Sequence, residues 1–336
     1  MATPGMRLDA RDELTHAPDA AENFNESVYA NAFDHRLRVG GWMRLGNRVN
    51  EGYAELSVCL YLPDGRVACQ FQRPPIDSND AFDAGGLRYE VEEPFGRVTM
   101  AYDGELLVLD DPAAMADPRT AFETAPRAAG AVRWSLTTIS PAHGGEPTTA
   151  EAEARTLYGI DFSRGHFNQH VSTSGSIAVG DERWEIDGFG WRDHSWGPRY
   201  WQAIWAYRLF VGNFGPDRAF MLLRNILAEG GSKRLGVLLV DGEYEEVLDL
   251  DLVTEWDGDE PIGARLAVRT EQRSTVIDAR VLTMVPLRNR RRADGELLQS
   301  RVAEGFTEFT WEGRTGYGMI EYIERVQDGR PVGVPL

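Results

Sequence analysis

The chain has 336 residues, 42% hydrophobic and 26% charged, with a formal net charge of −18. That length suits two cores better than one, and the apolar content excludes wholesale disorder. The acidic surplus repels phosphate backbones and anionic bilayers, which sets nucleic acid and membranes aside as partners.

Met1 to Ala20 is small, polar and charged, lacks the apolar stretch of a secretion signal, and reads as a flexible leader, residues 1–20. No later segment approaches the roughly 18 uninterrupted apolar residues of a membrane-spanning helix. A cytoplasmic location is the default expectation. Next come Glu22, Asn23, Asn25 and Glu26 around Phe24. These polar groups suit either the mouth of a barrel or an exposed first strand. From Ala54 to Leu62 the residues alternate, with Ala54, Leu56, Val58, Leu60 and Leu62 on one side. Pro63-Asp64-Gly65 then turns the chain and Val67 to Phe71 returns. Cys59 and Cys69 fall on these adjacent strands, and reduced, half-buried thiols are expected of them. Asp80 and Asp83 form a candidate carboxylate pair, although Ser78-Asn79-Asp80 reads first as turn chemistry.

Pro112 to Glu123 predicts a short helix or lid-like loop broken by Pro118. Gly144 to Thr156 predicts a long connection. Hairpin grammar returns at Ser176–Val179 with Arg183–Ile186, and at Leu235–Val240 with Glu243–Leu248. The basic run Arg288 to Arg292 reads as a solvated loop between strands. Neither β–α–β alternation nor a glycine-rich loop opening a helix is present. The pattern predicts a mainly β chain of antiparallel barrels with few short helices. A boundary near Arg192–Pro198 divides it into barrels over 21–192 and 193–336.

The densest segment runs from Glu185 to Trp205 and holds four of the chain's 9 tryptophans: Trp191, Trp196, Trp201 and Trp205. Parity on a strand would set Trp201, Ala203, Trp205 and Tyr207 on one face. Asp193 and His194 sit among these rings, where lost hydration would raise a carboxyl pKa and lower an imidazole pKa. The competing reading has Asp193 capping a tight turn, with Arg192 or Arg199 as its ion partner, and Trp196 plugging a barrel end. Downstream of Gly165, His166, Asn168 and His170 share a strand face. With His194 they could form a three-histidine metal site, but a polar lining that orients water or substrate is favoured. Asp187 is a candidate backing carboxylate for His166 or His194. A serine hydrolase is disfavoured: no Gly-x-Ser-x-Gly elbow occurs, and Ser195 adjoins His194 in sequence.

The string Gly190-Trp191-Arg192-Asp193-His194-Ser195-Trp196-Gly197 resembles the acid-His-x-Trp-Gly signature of the carotenoid 1,2-hydratase (hydroxyneurosporene synthase)-like superfamily, which includes lipocalin-like pericyclases. Glu22 to Ser27, Phe82 to Leu87 and Gly316 to Tyr322 resemble an uncharacterised bacterial branch of it, so the likeness spans about residues 20–330. The resemblance implies two tandem lipocalin-like domains, a hydrophobic pocket, water addition to isoprenoid double bonds or ring formation, and Asp193 and His194 as catalytic candidates.

Together these readings predict an acid/base enzyme, needing no redox cofactor, that acts on a small apolar terpenoid- or steroid-like substrate by hydration, dehydration, isomerisation or cyclisation. Asp193 would be the acid, tuned by His194. Trp191, Trp196, Tyr200, Trp201 and Trp205 would wall the pocket, and His166, His170, Glu22 and Glu26 would position water or act as base. Two alternatives stand beside it: a non-catalytic carrier of hydrophobic metabolites, and a metal-dependent enzyme built on the histidines. The oligomeric state is not encoded in any of these features.

Overall fold

Alternating apolar residues cannot bury one side of a strand alone, so successive hairpins curl until the apolar face closes on itself. In the computed structural model, which describes residues 3–156, 162–201, 204–293 and 295–334, this happens twice. The chain up to Leu109 together with Ala125–Arg199 makes one compact unit, and Asp110–Thr124 with the chain from Tyr200 onward makes the other.

The first unit carries β1 (Phe24–Asp34), β2 (Val39–Arg48), β3 (Tyr53–Tyr61) and β4 (Val67–Gln72). It continues with β5 (Arg97–Leu109), β6 (Arg127–Thr138), β7 (Gly165–Val179) and β8 (Glu182–Pro198). Each strand is antiparallel to the next, and β8 pairs back onto β1. The ring is a closed eight-stranded up-and-down barrel. The turn at Pro63-Asp64-Gly65 uses Gly65 at φ 93°, a left-handed conformation that glycine adopts without strain. Inward residues such as Val28, Ala30, Val58, Leu60, Met100, Val132 and Val171 are fully buried. Each of the larger aliphatic ones contributes about 1.5–3 kcal/mol through its burial. Cys59 and Cys69 lie opposite one another in register as buried, reduced thiols, and burial pushes the Cys69 thiol up to about 12.

The second unit repeats this circular order. Its strands are β9 (Ala206–Gly215), β10 (Arg218–Ile226), β11 (Ser232–Val240), β12 (Glu243–Glu246) and β13 (Asp249–Asp257). They are followed by β14 (Glu260–Arg269), β15 (Ser274–Ala293), β16 (Glu296–Trp311) and β17 (Arg314–Gln327). Again the last strand pairs with the first. Strands β12 and β13 are not paired with each other. The gap is bridged by Val247, whose N–H donates to Gly236, and Leu248, whose N–H donates to Arg269. Its core is aromatic: Phe210, Phe220, Phe309, Trp311 and Tyr322 are all buried.

Both units are lipocalin-like and antiparallel, as the alternation predicts. The described residues contain two short α-helices, Pro118–Thr124 and Ala150–Arg155, and no helix long and apolar enough to cross a membrane. Four local expectations need correction. The basic run Arg288–Arg292 is not a loop: it lies within β15, paired with Leu297 to Arg301, and Arg288, Arg290 and Arg292 reach water because alternate side chains face outward. The connection at 144–156 carries a strand, His143–Pro147, and a helix capped by Thr149. Strand β8 runs unbroken through residue 192, so residues 193–198 belong to the first unit. The leader is not loose either. Asp12 and Glu13 are buried, because an acidic side chain can be buried where a cation is waiting.

Candidate active site

Strand β8 places the signature residues, and its period of two separates them. In register with β7 and β1, His194 stands with Phe167 and Val28, whereas Asp193 stands with Asn168 and Tyr29. Val28 belongs to the barrel interior, so His194 points inward and Asp193 outward. The expected Asp193–His194 couple therefore does not form. Neighbours on a strand cannot share a chamber on one side of the sheet. The same rule splits the tryptophans: Trp196 faces inward with Glu26, and Trp191 faces outward with Asn31 and His170.

Inside the barrel, one oxygen of Glu26 receives both imidazoles, His16 Nδ1 at 2.6 Å and His194 Nε2 at 3.0 Å. Its other oxygen accepts from the backbone N–H of His16 at 2.8 Å and from Asn79 Nδ2 at 2.5 Å. Burial alone would raise the Glu26 pKa, but the hydrogen bonds from His16 and His194 outweigh it and hold the carboxyl at about 2. His16 Nε2 lies 3.3 Å from Asp12 Oδ1, and its ring stacks on Trp196 at 4.1 Å. Burial lowers its affinity for a proton, the Glu26 and Asp12 carboxylates raise it further, and the net shift is upward. His16 thus serves as an imidazolium pinned between two carboxylates. His194 donates through Nε2 and is walled by Phe82, Phe167 and Trp196, with ring centroids at 5.5–5.6 Å.

Two residues along β8, Arg192 holds Glu13 in a bidentate pair at 2.6 and 2.7 Å, with neither side chain exposed. Tyr89 and Gln169 complete the guanidinium's partners. Arg192 is therefore the ion partner of Glu13, not of Asp193. Arg199 donates to Ser195 Oγ at 2.8 Å.

The outward face is built differently. Asp193 Oδ2 lies 3.6 Å from His166 Nε2, and these side chains are 20% and 35% exposed. Tyr29, directly opposite Asp193, packs between Trp42 and Trp191 with centroids at 6.0 and 5.8 Å. The arrangement joins a water-accessible acid and imidazole to an aromatic wall. Such an acid can pass a proton to a group that reaches it.

His166, Asn168 and His170 share this face, in register with Ser195, Asp193 and Trp191. A three-histidine site with His194 is ruled out, since His194 is on the other side of the sheet. Among the described residues, the side chains whose donor atoms could meet at one cation are His16, Glu26 and His194, within 4.8 Å of one another. Hydrogen bonds already satisfy the shared oxygen there.

The remaining expectations scatter. Glu22 and Asn23 form the turn before β1, Glu22 exposed and Asn23 accepting at its carbonyl from the Arg199 N–H. Asn25 is buried on the outward face and accepts from Arg44 at 3.3 Å. Asp83 pairs with Arg88, and Asp80 is exposed, so they are no dyad. Asp187 is exposed and pairs with Arg36, away from both histidines. Tyr200, Trp201 and Trp205 fall in the second unit, half-buried. Trp201 and Trp205 are not on a strand: β8 ends at Pro198, which has no N–H to extend a ladder, and Ile204 N–H turns back to Trp201. Ala203 lies outside the described residues. Sequence reasoning missed Glu13 and His16, for which no local signal exists, and Tyr29 and Trp42, which the strand parity of β1 and β2 could have flagged.

Three solved structures share this fold along nearly their whole lengths. A candidate AttH from Nitrosomonas europaea aligns with TM-score 0.63 and 15% identity, over 97% of this chain and 100% of that one. CghA aligns at 0.58 and 12%, covering 98% of each chain. Kievitone hydratase from Nectria haematococca aligns at 0.57 and 9%, covering 96% of each. No curated protein matches in sequence. Residues 9–326 match the family described as "Domain of unknown function (DUF7064)", and the chain belongs to that family.

Proposed function

We propose that the chain is an acid/base enzyme of the carotenoid 1,2-hydratase-like superfamily, acting on an apolar terpenoid- or steroid-like substrate held against the outward face of the first barrel. The observation that carries this reading is the His166–Asp193 pair, 3.6 Å apart, accessible, and bordered by Tyr29 and Trp191. The likeness to a structure named kievitone hydratase supports water addition as the reaction class. Asp193, rather than a couple with His194, is the proton donor. Its O–H bond breaks as a C–H bond forms at the alkene, leaving a cation that the faces of Tyr29 and Trp191 stabilise. Water then attacks the cationic carbon while His166 takes its proton. The imidazolium hands that proton across to the Asp193 carboxylate, and the cycle closes. His170 and Asn168 flank the pair and orient water.

The test begins with the small molecule that co-purifies with the protein, identified by mass spectrometry of a denatured extract. Turnover of that molecule in D₂O should place one deuterium on carbon. Asp193→Asn should slow this by about 10²–10⁴-fold, the usual worth of a positioned proton donor. Undiminished turnover in a folded Asp193→Asn protein removes Asp193 from the chemistry. Tight binding with no conversion by the wild type makes the chain a carrier instead.

A further inference from the structure

The second barrel carries an acidic pair on an apolar stretch of its outward face. Register sets Val285, Glu304, Glu321 and Leu209 in one row across β15, β16, β17 and β9. Ala303, Ile320 and Tyr322 belong to the core, so Glu304 and Glu321 between them face outward. The rows on either side hold Leu287, Val302, Ile323 and Tyr207, and Thr283, Phe306, Met319 and Val211. Glu304 is 5% exposed, and Leu209, Val211, Val285, Phe306, Met319 and Ile323 are buried with it. We infer that Glu304 and Glu321 keep one proton between them at neutral pH, and that alkali, by taking it, loosens this sheet.

Direct cross-strand partners bring their Cβ atoms to about 4.5–5.5 Å, near enough for two glutamate side chains to meet. Two carboxylates so placed repel, and burial removes the water that would screen them. One proton relieves both costs, because the O–H of one acid can donate to the carboxylate of the other. The cations of these strands are turned away or distant. Arg208 and Arg301 share the parity of the core residues Phe210 and Ala303, and both hold Glu324 inside the barrel. On the outward face Arg280, bound to Glu308 at 2.7 Å, and Arg325 each stand two rows away, about 13 Å along the strands. The turn Pro112–Ala116, packed along β15, has no ionisable side chain. Tyr207 Oη donates to Glu321 Oε2 at 3.2 Å, which favours charge on Glu321 and leaves the proton on Glu304. Burial raises the Glu304 carboxyl well above its ordinary 4.5, and the Glu321 charge raises it further.

A carboxyl whose folded value is raised gives stability that is present below 4.5 and lost as pH climbs through the folded value. The test is infrared spectroscopy of the full chain at pH 7, where the carbonyl band of a protonated carboxyl should remain. Burial also raises the Glu260 carboxyl, so the band is read in Glu260→Gln too, and should survive there. It should vanish in Glu304→Gln. In Glu321→Gln it should be lost at a lower pH than in the wild type, because no like charge then holds the proton in place. In urea unfolding, the unfolding constant of the wild type relative to Glu304→Gln should rise about tenfold for each pH unit above 4.5 until the pair ionises. Absence of the band at pH 7 in Glu260→Gln overturns the inference, whether or not the other variants fold. A band retained by folded Glu304→Gln, or a ratio of unfolding constants that stays flat between pH 5 and 8, overturns it as well. A loss point unmoved by Glu321→Gln makes Glu304 a lone buried acid and ends the sharing.

Discussion

Strands β1, β7 and β8 carry two histidine–carboxylate pairs back to back, and the two are built to opposite ends. Inside, His194 and Glu26 are both 0% exposed, 3.0 Å apart, and tied to His16, Asn79 and Asp12. Outside, His166 and Asp193 are partly exposed and 3.6 Å apart, with slack between them. Every oxygen of Glu26 is committed, and a group so held resists a change of charge. Among the described residues Asp193 has one ionic neighbour, His166, just beyond hydrogen-bonding range. The comparison teaches that the acid-His motif splits into two settings on one strand: the histidine belongs to a buried network that ties down the N-terminal segment, and the acid belongs to the partly exposed outward face.

The largest effect expected from this division lies in the buried network. Glu13→Gln leaves Arg192 fully buried without its counter-charge, and such an orphaned charge costs about 3–5 kcal/mol. Guanidinium unfolding should show the midpoint falling sharply. A loss below about 1 kcal/mol would mean that the inner network does not hold the leader in place, and the contrast between the faces would collapse.

Much of this organisation was legible beforehand, for a physical reason. Alternation in β3, β4, β7 and β8 survives because each strand keeps one face in the core, so the barrel fold could be read strand by strand. The motif carries Trp191 and Asp193, and strand register sets His166, opposite Ser195, on the same face as both. Parity alone could have separated Asp193 from His194. What local pattern could not show is pairing across the chain. Glu13 meets Arg192 over 179 residues of sequence, and nothing near either residue announces the other. A polar leader looks loose until its partners are known. Tyr29 and Trp42 likewise become part of the outward wall only once register sets them beside Asp193 and Asn31.

A middle-sized effect sharpens the comparison through pH. Glu26 and Asp12 raise the His16 pKa above its ordinary 6.5 against the opposing effect of burial. A cationic group with a raised folded value contributes stability that is fully present below 6.5 and lost as pH climbs through that value. Glu26, held at about 2, contributes stability that is present above its ordinary 4.5 and lost as pH falls toward 2. Near pH 6 both contributions are in force. There, His16→Gln should cost roughly 1.5–3 kcal/mol, as expected for a charge-assisted hydrogen bond. At pH 9 the gap between variant and wild type should narrow, as thermal unfolding at the two pH values would show. A gap that widens with pH would place a neutral imidazole at position 16.

The smallest effect belongs to the outward pair, and its smallness is the point. Asp193→Asn keeps the shape of the side chain, and the partly exposed carboxylate it replaces gains little from a histidine 3.6 Å away because water screens them. Stability should therefore move by no more than about 0.5 kcal/mol, as for surface substitutions in general. His166→Gln should behave alike, and a double-mutant cycle between the two should show almost no coupling in unfolding free energy. In turnover the same two substitutions should couple strongly, since one group returns the proton that the other spends. Coupling in stability without coupling in turnover would make the outward pair a second clasp like the inner one, and the proton would have to come from elsewhere.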